Sequence, residues 1–142
     1  MPVVRNPQFY FREGFCWIDV NSTFLKARLK EKGVFDVLSM SLFTMVPLPD
    51  WYYVCLLNSD LISLYVDNFI NNTSHFQIND ARQLPIIIPS KEQLCEFENI
   101  FIDAENIKKQ QSVSLISFEL EETRLFKIQE KLDKLVCKLY AI

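Results

Sequence analysis

The chain has 142 residues, of which 49% are hydrophobic, so it is long enough and apolar enough to fold around a core of its own. Its net charge of −3 argues against avid nucleic-acid binding by the isolated chain, and its two glycines argue against folds built on glycine-rich phosphate loops. Residues 1–50 carry six basic and five acidic side chains, whereas residues 91–142 carry eight basic and ten acidic ones, so any nucleic-acid face is expected in the N-terminal part.

The N-terminal part, residues 1–89, mixes strand and helix patterns. Residues 9–20 form a β-prone aromatic stretch that is interrupted at residues 12–14, which predicts a strand with a hairpin turn or a bulge. Residues 23–32 alternate cations with few apolar partners and predict a solvated strand or loop. Residues 34–46 predict one or two further strands, which end at two prolines.

The rest of this part is predicted to contain a longer helix, a helical turn and a strand. Asp50 follows a proline and is predicted to cap a helix that continues to about residue 69. Residues 71–74 are polar and predict a loop. Asp80 is predicted to cap a single helical turn that ends at residue 83, and the apolar run at residues 84–88 predicts a buried strand.

Residues 90–142 are predicted to be helical. Ser90 and Gln93 have the spacing of a capping box at the start of the first helix. The last helix has a seam with the 3–4–3–4 spacing of a coiled coil, formed by Leu125, Ile128, Leu132, Leu135 and Leu139. The seam indicates a helical hairpin or a helix that docks on another protein, but an amphipathic helix that packs on its own domain has the same pattern. The predicted fold is therefore α+β, a small mixed or antiparallel sheet with packed helices followed by coiled-coil-like helices.

The motifs of an enzyme are missing. Asn6-Pro7-Gln8-Phe9 is faintly similar to the (N/D/S)-P-P-(Y/F) tetrapeptide of adenine methyltransferases, but Gln8 replaces the second proline and there is no glycine-rich loop for S-adenosylmethionine. A PD-(D/E)-x-K nuclease is excluded because no acidic residue stands two positions before a lysine. His75 is the only histidine and has no G-x-S-x-G motif to support it. We expect a protein without a catalytic site or a cofactor of its own.

The four cysteines, Cys16, Cys55, Cys95 and Cys137, are too widely spaced for a zinc site or a disulfide framework. We expect reduced thiols in a cytoplasmic, bacterial protein. No signal-peptide pattern is present, and no apolar run approaches the roughly 18 residues of a membrane span.

Several motifs occur together in a fixed order. Residues 9–17 (FYFREGFCW), 33–36 (GVFD), 56–59 (LLNS), 76–86 (FQINDARQLPI) and 132–140 (LDKLVCKLY) carry them. In this order and spacing they resemble the TaqI-like C-terminal specificity domain, the target-recognition domain of Type IIG restriction enzymes and adenine-specific DNA methyltransferases. The chain is also distantly similar to the recognition domains of Type I specificity subunits.

This resemblance implies a specificity domain for duplex DNA, with adenine methylation left to a catalytic domain that binds S-adenosylmethionine. That domain, and any nuclease attached to it, is absent from the sequence, so we expect either a piece of a longer enzyme or a shortened reading frame. DNA recognition needs cations for phosphates and polar side chains for base edges. The cationic candidates are Arg5, Arg12, Lys26, Arg28, Lys30 and Lys32, and the polar candidates are Asn71, Asn72, His75, Gln77, Arg82 and Gln83.

Both sets of residues are also compatible with roles that involve no DNA. The cationic stretch is equally typical of a solvated face, and family-typical residues such as Gln77 and Arg82 are expected more often in a scaffold than at base edges. The C-terminal helices are expected to dock a methyltransferase domain or to form a homodimer through the leucine seam. The competing hypothesis is an interaction module with coiled-coil helices that binds no DNA.

Overall fold

A computed structural model describes residues 12–18, 24–30, 39–42, 46–71, 73, 75–113 and 118–142. In these ranges the protein is α+β, as the sequence predicts. The strands are β1 (Gly14–Ile18), β2 (Ala27–Lys30) and β3 (Ser39–Leu42). The helices are α1 (Asp50–Leu57), α2 (Asp60–Tyr65), which continues into a π-helical turn at Val66–Ile70, α3 (Ile78–Ala81), α4 (Lys91–Val113) and α5 (Phe118–Leu139).

The three strands form an antiparallel sheet in the order β2-β1-β3. In its register Cys16 lies opposite Arg28 on one side and opposite Ser41 on the other. The stretches predicted as a strand at residues 9–20, as a strand or loop at residues 23–32 and as one or two strands at residues 34–46 each contain one of these strands, and β1 begins at Gly14, the last residue of the predicted interruption. The stretch before residue 12 lies outside the described residues.

The core lies between the sheet and the helices, and it includes side chains from both predicted parts of the chain. Phe15 of β1 stacks on Tyr53 of α1 with ring centroids 5.0 Å apart, and Tyr52 meets the edge of Phe97 from α4 at 5.2 Å. Val136 of α5 is fully buried in the same cluster. Each aromatic contact of this kind stabilises the fold by about 0.5–1.5 kcal/mol beyond the contribution of the apolar area that it buries. The hydrophobic cluster includes residues from both 1–89 and 90–142, and the division of the chain into a recognition region and a helical region stays a prediction.

The single helix predicted at residues 50–69 is wrong in two respects. Asp50 is the first helical residue rather than the cap, and Pro49 precedes it with no side-chain cap. The helix ends at Leu57, and Ser59 starts a second helix by accepting a bond of 3.4 Å from the N–H of Ile62. The serine hydroxyl also donates to the carbonyl of Leu56 at 2.6 Å, so it competes for backbone groups that would otherwise continue the helix.

Asp80 does not cap α3 as predicted. Gln77 is the cap, and Asp80 lies three residues later, where its Oδ2 accepts the Gln77 N–H at 2.9 Å. This is the reciprocal half of a capping box, with the acidic residue at its third position.

The strand predicted at residues 84–88 is also wrong. This segment is irregular and belongs to no strand of the described sheet, and Ile86 and Ile88 are exposed. Two tyrosine hydroxyls hold its carbonyls instead, Tyr52 on Ile87 and Tyr140 on Pro85, each at 2.6 Å. Pro85 and Pro89 lack the N–H that an inner strand would need.

The C-terminal part forms a hairpin of α4 and α5. The predicted capping box is confirmed, since Gln93 N–H donates to Ser90 Oγ at 3.2 Å and Ser90 N–H donates to Gln93 Oε1 at 2.9 Å. Gln111 near the end of α4 bonds Glu122 near the start of α5 at 2.8 Å, as in an antiparallel pair. Among the described helices, none combines the length and apolar character needed to cross a bilayer.

Candidate nucleic-acid interface and adjoining groove

Four of the cationic candidates lie close together around β2. Arg28 and Lys30 are alternate residues of the strand and Lys26 directly precedes it, so the three side chains project from the same side of the strand, roughly 7 Å apart. Lys26 and Arg28 are exposed. Lys30 Nζ donates to the carbonyl of Arg12 at 2.9 Å, which brings Arg12 to this side of the sheet. We call these residues, Arg12, Lys26, Arg28 and Lys30, the basic face.

The basic face owes its position to the opposite side of the same strand. Ala27 packs against the core, and its N–H and C=O bond the Oδ1 and Nδ2 of Asn58 at 2.9 and 2.8 Å. Two residues earlier, the N–H of Leu25 donates to Ser63 Oγ at 3.0 Å. The side chains of Asn58, which follows α1, and of Ser63 in α2 therefore take the place of a neighbouring strand along this edge.

The polar candidates at residues 71–83 form a separate group. Among them His75, Gln77, Arg82 and Gln83 are exposed. The segment is anchored to the core, because Trp17 Nε1 donates to the carbonyl of Phe76 at 2.8 Å and the two rings lie 5.4 Å apart. The structure thus attaches this segment to β1 through the core side of the sheet, and its contacts do not place these residues beside the cations of β2.

Several of these polar groups make local bonds. Asn71 Nδ2 donates to the carbonyl of His75 at 2.6 Å and to Asp80 Oδ2 at 3.0 Å. Arg82 and Gln83 both contact Asn79, at 3.5 and 3.2 Å. Asn71 is therefore part of the scaffold, whereas the contacts of the Arg82 and Gln83 side chains with Asn79 are exposed, and that of Arg82 is long. The remaining candidates, Arg5, Lys32 and Asn72, lie outside the described residues.

An apolar groove of about 840 Å³ opens between β2, α1 and the α4–α5 hairpin. Its apolar lining includes Leu29, Phe101, Leu125, Phe126 and Ile128, and its rim carries Arg28, Glu105, Lys108 and Glu122. We call it the β2–α5 groove. It has the volume of a typical ligand pocket.

The leucine seam divides between the core and this groove. Leu132 and Leu135 are buried in the core of their own chain, and Leu139 is half-buried against it. The seam is therefore largely used within the chain, and Leu132 and Leu135 are not available to a partner in this structure. Leu125 and Ile128 are half-buried and line the groove, so these two remain interface candidates.

Burial changes the acidity of two side chains of the helical layer, Cys55 and Asp60. Burial raises the pKa of the Cys55 thiol to about 12, which leaves it protonated and a poor nucleophile. Burial also raises the pKa of Asp60, with a smaller contribution from the negative charge of Asp133. In the part of the chain that the structure describes, no three His, Cys, Asp or Glu side chains come together as a metal site would require.

Sequence reasoning missed three residues that shape this region. Asn58 belongs to the LLNS motif, but nothing in that motif indicates that its amide binds a strand edge. Trp17 belongs to the β-prone aromatic stretch, and nothing in that stretch indicates that its indole N–H binds the carbonyl of Phe76. Phe126 follows the seam residue Leu125, and it lines the groove although its side chain is 65% exposed.

No model of a protein family matches this chain, and no characterised protein is significantly similar to it.

Proposed function

We propose that this chain is the DNA-recognition, or specificity, domain of a restriction–modification methyltransferase. It binds duplex DNA and directs adenine methylation, cleavage or both, which a separate catalytic domain performs with S-adenosylmethionine. The order of motifs supports the proposal, and the basic face is the structural observation that carries it. Lys26 and Arg28 are exposed alternate residues, and this spacing is well suited to neutralise successive phosphates.

The polar segment at residues 75–83 supplies the side chains for base edges. Gln83 has the kind of amide group that pairs with adenine, and Arg82 has the guanidinium that pairs with guanine, whereas the Gln77 side chain also caps α3. All three are exposed, whereas the backbone beneath them is fixed through Phe76. A fixed backbone with exposed side chains is what base recognition requires, since positional error weakens bidentate bonds.

A salt titration tests the proposal. For the unsubstituted protein and a fluorescent duplex, the logarithm of the binding constant should fall linearly with the logarithm of the salt concentration. The slope should be about −0.9 for each phosphate contact, and therefore about −3 to −4 if all four cations of the basic face contact phosphates. The double substitution Lys26→Glu and Arg28→Glu should abolish duplex binding. The charge-matched control is Lys131→Glu with Lys134→Glu on α5, which should bind the duplex as tightly as the unsubstituted protein does. Unchanged duplex retention by the first variant refutes this placement of the DNA face.

A second candidate function is protein association through the C-terminal helices without DNA binding. The observation that favours it is the apolar β2–α5 groove, in which Leu125 and Ile128 remain only half-buried. The net charge of −3 is in its favour as well. If this candidate is right, the unsubstituted protein should bind duplex DNA negligibly at every salt concentration. It should also associate in a concentration-dependent way in sedimentation velocity.

A further inference from the structure

The outer edge of β2 changes character at Leu29. The strand lies at the edge of the described sheet, and Ser63 and Asn58 already bond the outward backbone groups of Leu25 and Ala27. Because outward and inward bonding alternate along an antiparallel strand, the N–H and C=O of Leu29 also point outward. None of the described residues supplies a partner for these two groups.

The apolar groove begins at the same residue. The Leu29 side chain is 38% exposed and lines the groove from β2, and Phe101 of α4 and Phe126 of α5, which is 65% exposed, line it from the hairpin. An unpaired strand edge is a liability that proteins usually cover with charge or with another element. Here side chains of Ser63 and Asn58 bond the edge at Leu25 and Ala27, and Leu29, the next outward residue, lines the apolar groove.

We propose that the β2–α5 groove binds an extended, apolar peptide segment of a partner protein, which adds a strand to β2 at Leu29. The backbone of the peptide pairs with the N–H and C=O of Leu29, and alternate side chains enter the groove between β2 and the α4–α5 hairpin. This mode of recognition takes affinity from main-chain bonds and specificity from side-chain pockets. It goes beyond DNA recognition and does not depend on it.

The geometry favours a peptide over a second copy of this chain. In a second copy the edge of β2 is equally occupied by Asn58 up to Ala27, so two such edges have only Leu29 to offer each other within the described strand. A free peptide end has no such obstruction and can stop beside Asn58. The rim charges, Arg28 and Lys108 against Glu105 and Glu122, are balanced, which fits a segment without strong net charge.

Selection from a displayed library of random linear peptides, with the full chain as bait, tests the proposal. Enriched peptides should have apolar residues at every second position. A synthetic peptide of the enriched sequence should protect the Leu29 amide from hydrogen exchange. Phe126→Glu should weaken its binding about tenfold or more, because an aromatic wall is lost. The matched control is Phe69→Glu, which alters a phenylalanine that is 76% exposed and lies outside the groove, and should bind as the parent does.

A backbone-modified peptide separates strand addition from simple apolar contact. N-methylation of the amide that faces Leu29 should abolish binding although every side chain is kept. The proposal is overturned if the library yields no enriched sequence, if the methylated peptide binds equally well, or if the Leu29 amide gains no protection. Phe126→Glu should leave duplex binding unchanged, so failure here and failure of the DNA proposal are told apart.

Discussion

Asn58 joins the helical layer to the strand that bears the basic face, so its removal should loosen that strand. Its side chain makes two bonds to Ala27, at 2.9 and 2.8 Å, and its own carbonyl accepts from Gln129 Nε2 at 2.9 Å. Each of the two side-chain bonds is worth about 0.5–1.5 kcal/mol net, and the half-buried backbone groups of Ala27 would lose their partners. We expect Asn58→Ala to lower the free energy of unfolding by about 2 kcal/mol.

Urea denaturation measures this loss, and with a slope of about 1–3 kcal/mol per molar the midpoint should fall by roughly 1 M. Hydrogen exchange of the Ala27 amide should accelerate in the same variant. The control is Asn68→Ala, which removes one exposed bond to the Leu64 carbonyl and should change stability by less than about 0.5 kcal/mol. If Asn58→Ala is as mild as the control, Asn58 does not hold the edge of β2.

Asn58→Asp should make the stability of this strand edge depend on pH. A carboxylate keeps an acceptor for the Ala27 N–H but places a second negative oxygen against the Ala27 carbonyl. We expect this variant to be less stable than Asn58→Ala at neutral pH and to recover part of the loss when acid protonates the carboxyl, since the protonated form can donate again. Equal stability of the two variants across pH would contradict the role of the Asn58 amide as a donor to Ala27.

Two more predictions concern the core. Trp17→Phe removes the indole N–H that donates to the carbonyl of Phe76, and it should lower the free energy of unfolding by about 1–3 kcal/mol. Trp51→Phe, which changes a half-buried tryptophan, should lower it by less. Equal losses for the two variants in urea denaturation would contradict the role of this bond. Because burial raises the pKa of Cys55 from 9.0 to about 12, the unfolded chain releases its proton first, and stability should fall as pH rises from about 9 toward 12. Cys55→Ala should make that fall shallower in denaturation midpoints measured across this range, and a parallel fall would show that Cys55 does not contribute.

Structural features that depend on residues close together in the chain could be predicted from the sequence. The Ser90–Gln93 capping box and the alternation of Lys26, Arg28 and Lys30 are local patterns, and the structure has both. The end of α1 at Leu57 could not be predicted because an apolar helical spacing continues beyond it.

Features that depend on distant contacts were predicted poorly. The segment at residues 84–88 has the composition of a buried strand, but two tyrosines far away in sequence decide its course. The spacing of the leucine seam could not say which protein surface covers it, and Leu132 and Leu135 pack on their own chain. The basic face could be named from sequence, whereas the groove beside it could not, because its walls come from four separate elements.

The shared core also limits how such a domain can be divided or recombined. Phe97 and Val136, from beyond residue 89, pack in the same cluster as Trp17 and Tyr52. A fragment that ended at residue 89 would leave the inner surface of the sheet and of α1 open to water and prone to aggregate. An exchange of recognition elements between related proteins would therefore succeed only if the hairpin of α4 and α5 travelled with them, so the helices are inherited with the surface that they support.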